Sequence, residues 1–148
     1  MHKLSKKSIN LLLQAGWSED RSIDTATFEK LCKDNGMKFF PVVADFLRIF
    51  GNLRMVNPHA IPPAAEDWQF DVAAAVKYGA NIAPYYGHRL GGDVCMIGQA
   101  QREYMLLMMN EQGQVYAGYD QLIWFVGDSG IDAINALSEG RKLTKVPG

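Results

Sequence analysis

The stretch YMLLMMNEQGQVYAGY occupies residues 104–119, and its pattern predicts a β-hairpin. Residues 104–109 show no alternation of polar and apolar side chains, which is typical of a strand buried on both faces. Residues 110–113 end in a glycine, at the point where a hairpin turn requires a positive φ. Residues 115–119 supply the partner strand. We therefore expect these two strands to pair antiparallel at the centre of a sheet.

Shorter apolar segments on both sides of the hairpin predict the rest of that sheet. Residues 72–77 have the composition of a short helix. Residues 80–92 contain three glycines and a proline, which indicate a long loop. The prolines of residues 57–63 exclude regular strand pairing there. Further strands are predicted at residues 53–56, 68–71, 94–97 and 122–126.

The first third of the chain has the periodicity of helices. One helix should end at Gly16, and a second should begin after an Asp24 N-cap and end at Gly36. Pro41 suits the first turn of a third helix. The apolar stripe of this helix recurs at helical spacing and is typical of a core-facing surface, and its members are Val43, Phe46, Leu47 and Phe50.

A capping signature predicts one more helix near the C-terminus. Ser129 is followed three residues later by Asp132, and the apolar positions after them continue to a stop at Gly140. The chain thus runs from helices to a mainly antiparallel sheet and back to a helix. We predict an α+β fold with the N-terminal helices and the C-terminal helix packed on that sheet.

Length and composition indicate one globular domain covering residues 1–148, with 48% hydrophobic residues. No apolar stretch approaches the roughly 20 residues of a membrane-spanning helix, so we expect no membrane association. The basic N-terminus lacks the pattern of a secretory signal. Cys32 and Cys95 are predicted to be small buried side chains, and a reducing cytoplasm is the simplest location.

The net charge of -1 conceals an asymmetry. Six of the 15 basic residues lie in the two tails, so residues 8–140 hold 9 basic and 16 acidic side chains, a balance of -7. One interpretation is that these carboxylates aid solubility and cap helices. The other is that the acidic body faces a basic partner. An acidic balance differs from the clustered basic face that a nucleic-acid-binding protein needs, so we expect no nucleic-acid partner.

The sequence offers no convincing catalytic or metal centre. His2, His59 and His88 are far apart and have no cysteine or histidine at metal spacing, and no cofactor motif is present. His88, Asp93 and Cys95 are close in sequence. A cysteine nucleophile would need an exposed, activated thiolate, whereas Cys95 lies between apolar residues of a predicted strand. We predict a protein without enzymatic activity.

The segment from Gly16-Trp17 to Arg21 is easily mistaken for a functional site. We expect the Trp17 indole to pack between the first two helices. Arg21 should bind helix-end carbonyls or an acidic neighbour. Both predicted roles are structural.

Several segments together resemble one bacterial branch of the SUKH superfamily. Residues 15–24 are similar to its opening GW…R motif, and residues 46–53 resemble its FL..FG.L segment. The strands at 94–98 and 113–116 and the closing helix at 126–140 follow in the same order. Asn52 stands where many relatives carry a second glycine, and asparagine tolerates the left-handed conformation.

The resemblance implies an immunity protein of bacterial polymorphic toxin and contact-dependent inhibition systems. Such proteins bind and neutralise a cognate toxin domain in the cytoplasm, often a nuclease. Other superfamily members are regulatory, so a ligand-sensing or scaffolding module is the alternative. A small hydrolase would require the cluster of residues 88–95 to be exposed.

Interface hot spots are rich in aromatic residues and arginine, and these gather here in predicted loops beside acidic residues. The predicted partner-binding residues are Glu66, Asp67, Trp68, Tyr85, Tyr86, Arg89, Asp93, Tyr119 and Asp120. The oligomeric state is left open.

Overall fold

A computed structural model describes residues 3–57, 67–100 and 104–148. Within these residues the helices are α1 (Lys6–Gln14), α2 (Ala26–Asp34), α3 (Pro41–Phe50), α4 (Val72–Gly79), α5 (Ala83–Leu90) and α6 (Gly130–Glu139). The strands are β1 (Arg54–Val56), β2 (Asp67–Gln69), β3 (Val94–Ala100), β4 (Met105–Asn110), β5 (Val115–Tyr119), β6 (Leu122–Gly127) and β7 (Thr144–Lys145). The predicted α+β class is confirmed.

The described strands form one sheet in chain order, from β1 to β7, and every neighbouring pair is antiparallel. The predicted hairpin is its centre, with Leu107 opposite Ala117 and Met108 opposite Tyr116. The four inner residues of β4 are all buried, as the lack of alternation predicted. Tyr104 precedes β4 and is 69% exposed, so the strand begins one residue later than expected.

Helix α3 supplies much of the core beneath the sheet. Pro41 occupies its first turn, and all four residues of the predicted stripe are buried. Phe46 meets the ring of Phe70 edge to face, with centroids 4.9 Å apart. After the helix, Asn52 adopts a left-handed φ of 66°. The predicted turn therefore persists with asparagine in place of a second glycine.

Helix α6 begins and ends as its sequence predicted. The Ser129 hydroxyl accepts a hydrogen bond from the Asp132 N–H at 3.1 Å, and the Asp132 carboxylate accepts one from the Asp128 N–H. Gly140 ends the helix with a left-handed φ of 69°. Helix α2, in contrast, begins after Thr25. The carboxylate of Asp24 instead accepts a hydrogen bond from the Ala26 N–H.

The prediction of a long loop at residues 80–92 is wrong, because this stretch contains helix α5. Its glycines have roles that the sequence alone does not reveal. A Cβ at Gly87 would lie 3.0 Å from the Gly92 carbonyl oxygen, so a close backbone approach requires glycine inside the helix. Gly91 ends the helix with a left-handed φ of 77°. Helices α4 and α5 both pack against β3.

No helix in the described part of the chain has the length and apolar character needed to cross a membrane.

Candidate functional site

The loop between α1 and α2 binds the C-terminal end of α3. The guanidinium of Arg21 donates hydrogen bonds to the carbonyls of Ile49, at 2.6 Å, and Gly51, at 2.7 Å. The prediction that Arg21 binds helix-end carbonyls is confirmed. The Trp17 ring stacks on Phe50, with centroids 6.4 Å apart, so its ring partner lies in the third helix. Both side chains of the motif are engaged within the fold.

The residues His88, Asp93 and Cys95 have different environments. Cys95 is fully buried and donates a hydrogen bond to the Cys32 sulfur at 3.3 Å. This hydrogen bond and burial together raise the pKa of Cys95, which disfavours the thiolate that nucleophilic chemistry needs. His88 and Asp93 are both exposed. Among the described residues, no three His, Cys, Asp or Glu side chains are grouped to hold a metal ion.

Trp68 is not a surface residue, so its prediction as an exposed interface aromatic is wrong. It is 1% exposed. It lies in β2, an inner strand, opposite Met55 of β1 and Ala100 of β3. A residue flanked by strands on both sides can point into the core although its sequence neighbours are acidic. Glu66, one of those neighbours, lies outside the described residues.

Tyr86 is also buried, at 0% exposure, which corrects its prediction as a surface residue. Its ring lies against Gly118, where an added Cβ would come within 2.5 Å of the ring. Its hydroxyl donates a hydrogen bond to the Asp120 carbonyl at 2.8 Å. Burial, assisted by the charge of Asp120 and by Tyr85, raises the pKa of Tyr86 to about 12. Tyr86 therefore positions the turn that carries Asp120.

Two predicted carboxylates are already paired within the domain. Asp67 accepts a hydrogen bond from Arg54 at 3.1 Å and is only 16% exposed. Asp93 forms an ion pair with Lys38 at 2.9 Å, and both side chains are exposed. Each carboxylate can bind a partner protein only if it shares or gives up its present contact with Arg54 or Lys38.

Arg89 and Tyr85 form a unit on α5 that holds neighbouring backbone. The Arg89 guanidinium donates to the Gln121 carbonyl at 2.8 Å and to the Pro147 carbonyl at 3.1 Å. It also donates to the Tyr85 hydroxyl at 2.9 Å and lies over the Tyr85 ring. Tyr85 is 36% exposed. The unit thus ties α5 to the β5–β6 turn and to the end of the chain.

Tyr119 and Asp120 are predicted residues that lie exposed beside one another at a concave surface. Tyr119 is the last residue of β5, and Asp120 follows it in the β5–β6 turn with a left-handed φ of 50°. With Tyr78 and Tyr104 they line a cavity of about 260 Å³, which we call the tyrosine cavity. Its lining residues are Tyr78, Asn81, Ile82, Tyr86, Gln99, Tyr104, Leu106, Gly118, Tyr119 and Asp120.

The rim and the floor of the tyrosine cavity differ in character. Tyr78, Tyr104 and Tyr119 are 62%, 69% and 43% exposed and form an aromatic rim. The floor is made of buried side chains. Gln99 in this floor is 1% exposed, and its side-chain oxygen accepts a hydrogen bond from the Gln69 amide at 2.9 Å. The arrangement places exposed aromatic groups above a buried base.

Sequence reasoning missed Tyr78 and Tyr104 for identifiable reasons. Tyr78 follows the end of the helix predicted at residues 72–77, and Tyr104 falls within the strand predicted to be buried. Tyr104 is the first residue of an apolar run and directly follows the charged residues Arg102 and Glu103, and the boundary of a strand predicted from sequence can shift by a few residues. No sequence signal places the two tyrosines beside one another.

A second, wider cleft of about 510 Å³ lies beside α2 and α3. Its lining includes Met37, Phe39 and Pro41, and its charged residues are two lysines and two carboxylates, Lys33, Lys38, Asp93 and Glu111. The charges balance, and the Lys38–Asp93 ion pair lies among them. The cleft therefore has no net preference for a charged ligand.

The chain is an α+β protein with helices on an antiparallel sheet and an exposed aromatic cavity at one end of that sheet. Residues 4–140 match the family model described as SUKH-3 immunity protein. The chain belongs to this family, which confirms the resemblance to the SUKH superfamily. No curated protein and no solved structure gave a significant match.

Proposed function

We propose that this protein neutralises a cognate toxin domain by binding it in the bacterial cytoplasm, without chemical modification of the toxin. Membership of an immunity protein family supports the biological role. The geometry supports the physical mode, since the buried, protonated Cys95 is a poor nucleophile and the aromatic cavity is a good contact surface.

The tyrosine cavity is the observation that carries this proposal. Tyrosine is enriched in interface hot spots because its ring buries a large area with few rotatable bonds. Three exposed tyrosines around one concavity are unusual for a surface without a partner, because each ring loses favourable burial energy while it faces water. A toxin loop that fills the cavity would bury all three rings together.

The charge balance supports a basic toxin, such as a nuclease with a positive substrate groove. Residues 8–140 carry a balance of -7. Attraction between an acidic body and a basic partner accelerates association and is screened by salt over about 8–10 Å. Occlusion of the substrate groove by this domain would then prevent the toxin from reaching nucleic acid.

Co-expression with a candidate cognate toxin domain, sought first among the neighbouring genes, tests the proposal. Cells that produce both proteins should grow, and the two purified proteins should form a stable complex. Tyr119→Ala should weaken the complex by roughly 2 kcal/mol, about thirtyfold, if the ring is a hot spot. Leu13→Ala is the matched control, because Leu13 is a large apolar side chain of α1 that is 53% exposed and lies outside the cavity.

Three results would each contradict a part of the proposal. If the toxin remained active in the presence of excess folded wild-type domain, the immunity role would be wrong. If mass spectrometry showed a covalent change in the toxin after mixing, the binding-only mode would be wrong. Equal weakening by Tyr119→Ala and Leu13→Ala would remove the cavity as the contact surface.

A further inference from the structure

We infer that the tyrosine cavity receives an arginine side chain of the partner, with the guanidinium between the tyrosine rings and the Asp120 carboxylate. The inference rests on the proposed function, since it specifies the chemistry of the toxin surface that enters the cavity. It follows from the chemistry of the lining, the size of the cavity and the unpaired state of one carboxylate.

The lining favours a cation. The rim consists of the three exposed rings of Tyr78, Tyr104 and Tyr119, and the faces of such rings attract positive charge. Asp120 adds a full negative charge at the same rim. Among the described residues that line the cavity there is no lysine, arginine or histidine. The described lining thus adds no positive charge of its own, and the one cation over a rim ring is the Lys77 ammonium beside Tyr78, which leaves Tyr104, Tyr119 and Asp120 to attract a positive group.

Asp120 differs from three other described carboxylates near strand ends, which already have partners within the domain. Asp67 pairs with Arg54, Asp93 pairs with Lys38, and Asp71 accepts a hydrogen bond from the N-terminus of α4. Within residues 3–57, 67–100 and 104–148, no hydrogen bond or ion pair engages the Asp120 side chain. A cation from outside would thus gain an ion pair without breaking one.

The position of Asp120 is fixed before any partner arrives. Its left-handed backbone lies in a tight turn between β5 and β6. The buried Tyr86 hydroxyl holds its carbonyl at 2.8 Å. A carboxylate on a fixed backbone loses less conformational entropy on binding than one on a mobile loop. The turn therefore presents Asp120 to the cavity at a low entropic cost.

The volume favours a side chain over a small-molecule ligand. Ligand pockets commonly measure about 300–1,000 Å³ and enclose most of the ligand. The tyrosine cavity measures about 260 Å³ and is rimmed by exposed rings. One extended side chain fits such a space, and the backbone that carries it can rest on the rim.

Cations already lie over tyrosine rings of α4 and α5. The Lys77 ammonium lies 5.5 Å from the centre of the Tyr78 ring, and the Arg89 guanidinium lies 5.7 Å from the centre of the Tyr85 ring. Arginine suits the cavity better than lysine, because its planar guanidinium stacks on a ring while it donates two parallel hydrogen bonds to a carboxylate. The cavity would supply both partners at once.

The first experiment uses a small probe that does not depend on the toxin. N-acetyl-arginine amide and its neutral isostere N-acetyl-citrulline amide are titrated into the folded domain, and backbone amide chemical shifts are followed by NMR. We expect the arginine probe to shift the amides of residues 118–121 and to bind at least about tenfold more tightly than the citrulline probe. Equal binding of the two probes, shifts that lie elsewhere, or no shift up to the solubility limit would overturn the inference.

Asp120→Asn tests the carboxylate, because asparagine tolerates the same left-handed backbone. It should reduce arginine binding by about tenfold or more and leave citrulline binding unchanged. Asp34→Asn is the matched control, because it removes the same charge from an exposed carboxylate of α2 that does not line the cavity. Equal losses in both variants would indicate a general charge effect and overturn the assigned site.

The complex with the toxin separates this inference from the proposed function. If wild-type and Asp120→Asn domains bind and neutralise the toxin equally, the arginine site is wrong while the immunity role stands. If the wild-type domain fails to neutralise the toxin but discriminates arginine from citrulline, the immunity role fails and the cavity keeps its ligand preference. Substitution of the toxin arginines one at a time should identify one whose loss is not additive with Asp120→Asn.

Discussion

The loop that binds the end of α3 and the tyrosine cavity contain the same kinds of residue but use them differently. In the first region, Arg21 and Trp17 are an arginine and an aromatic residue in a loop, and both are engaged inside the domain. In the second, Tyr104 and Asp120 are an aromatic residue and a charge near turns, and both face a cavity. The GW…R motif at residues 15–24, which resembles the SUKH superfamily, belongs to the first region alone.

The difference separates residue type from residue availability. A loop arginine is a plausible hot spot by composition, but the Arg21 guanidinium already binds two carbonyls, and a partner would have to replace them. The Asp120 carboxylate has no such partner among the described residues, so a bound cation would displace only water from it. A functional surface is therefore better recognised by its unsatisfied groups than by its composition.

The largest effect should come from the core beneath the first region. Leu47 of α3 is fully buried, so Leu47→Ala removes apolar contacts and leaves a cavity. We expect a loss of about 2–5 kcal/mol in the free energy of unfolding, measured in urea melts. A loss below about 1 kcal/mol would mean that α3 does not form part of the core. The loop that binds the end of α3 would then have no structural role to compare with the tyrosine cavity.

Arg21→Gln should have the next largest effect on stability. The substitution removes two charge-assisted hydrogen bonds to the end of α3, and hydrogen bonds to charged groups contribute about 1.5–3 kcal/mol when buried. Because Arg21 is only partly buried, we expect a loss of about 1–2 kcal/mol in urea melts.

The same variant should bind the toxin with unchanged affinity once folded. Arg48→Gln is a suitable control, because its ion pair with Asp45 lies on an exposed face of α3 and should contribute little. A stable Arg21→Gln domain with weakened toxin binding would reverse the assignment of the two regions.

The elements that the sequence predicted well are those specified by local pattern. The stripe of α3 and the turn of the central hairpin each depend on residues within a few positions of one another, and both occur as predicted. The Ser129 cap is equally local. The sequence predicts a loop in place of helix α5, because a glycine such as Gly87 usually indicates a loop. Only the folded chain shows that the Gly92 backbone lies so close to residue 87 that glycine is needed inside the helix.

The candidate site was harder to predict because it depends on pairing across the whole sheet. Acidic neighbours made Trp68 look exposed, but its position in an inner strand buries it. Tyr104 looked buried because it precedes an apolar run, yet it lies outside β4. The tyrosine cavity combines side chains from helices, strands and a turn between residues 78 and 120, and no spacing in the sequence encodes that meeting.

A smaller effect should appear at alkaline pH when the hydroxyl beneath the cavity is removed. The folded domain holds the Tyr86 proton up to about pH 12, whereas an unfolded tyrosine releases it near pH 10. The raised pKa thus contributes stability that is complete below about pH 10 and is lost as the pH rises from about 10 through about 12.

Tyr86→Phe should cost about 0.5–1.5 kcal/mol at neutral pH, because it removes the hydrogen bond to the Asp120 carbonyl. It should also make the decline in stability above pH 10 shallower than in the wild type, as measured by urea melts at each pH. Tyr78→Phe is the control, since its hydroxyl belongs to an exposed residue of the rim. An identical alkaline decline in the wild type and in Tyr86→Phe would show that this hydroxyl does not support the turn.

The smallest effect on stability should come from Tyr104→Ala, because Tyr104 is 69% exposed and precedes the strand. Surface substitutions of this kind usually change the free energy of unfolding by less than about 0.5 kcal/mol. In the toxin complex, however, loss of the ring should raise the dissociation rate by an amount worth about 2 kcal/mol, measured by surface plasmon resonance. The association rate should change little and should keep its salt dependence, because that rate depends on charges rather than on the ring.

A variant that loses stability and binding in parallel would place Tyr104 with Arg21, among the residues that hold the fold. Stable folding with faster dissociation would instead place it with the groups left free for a partner.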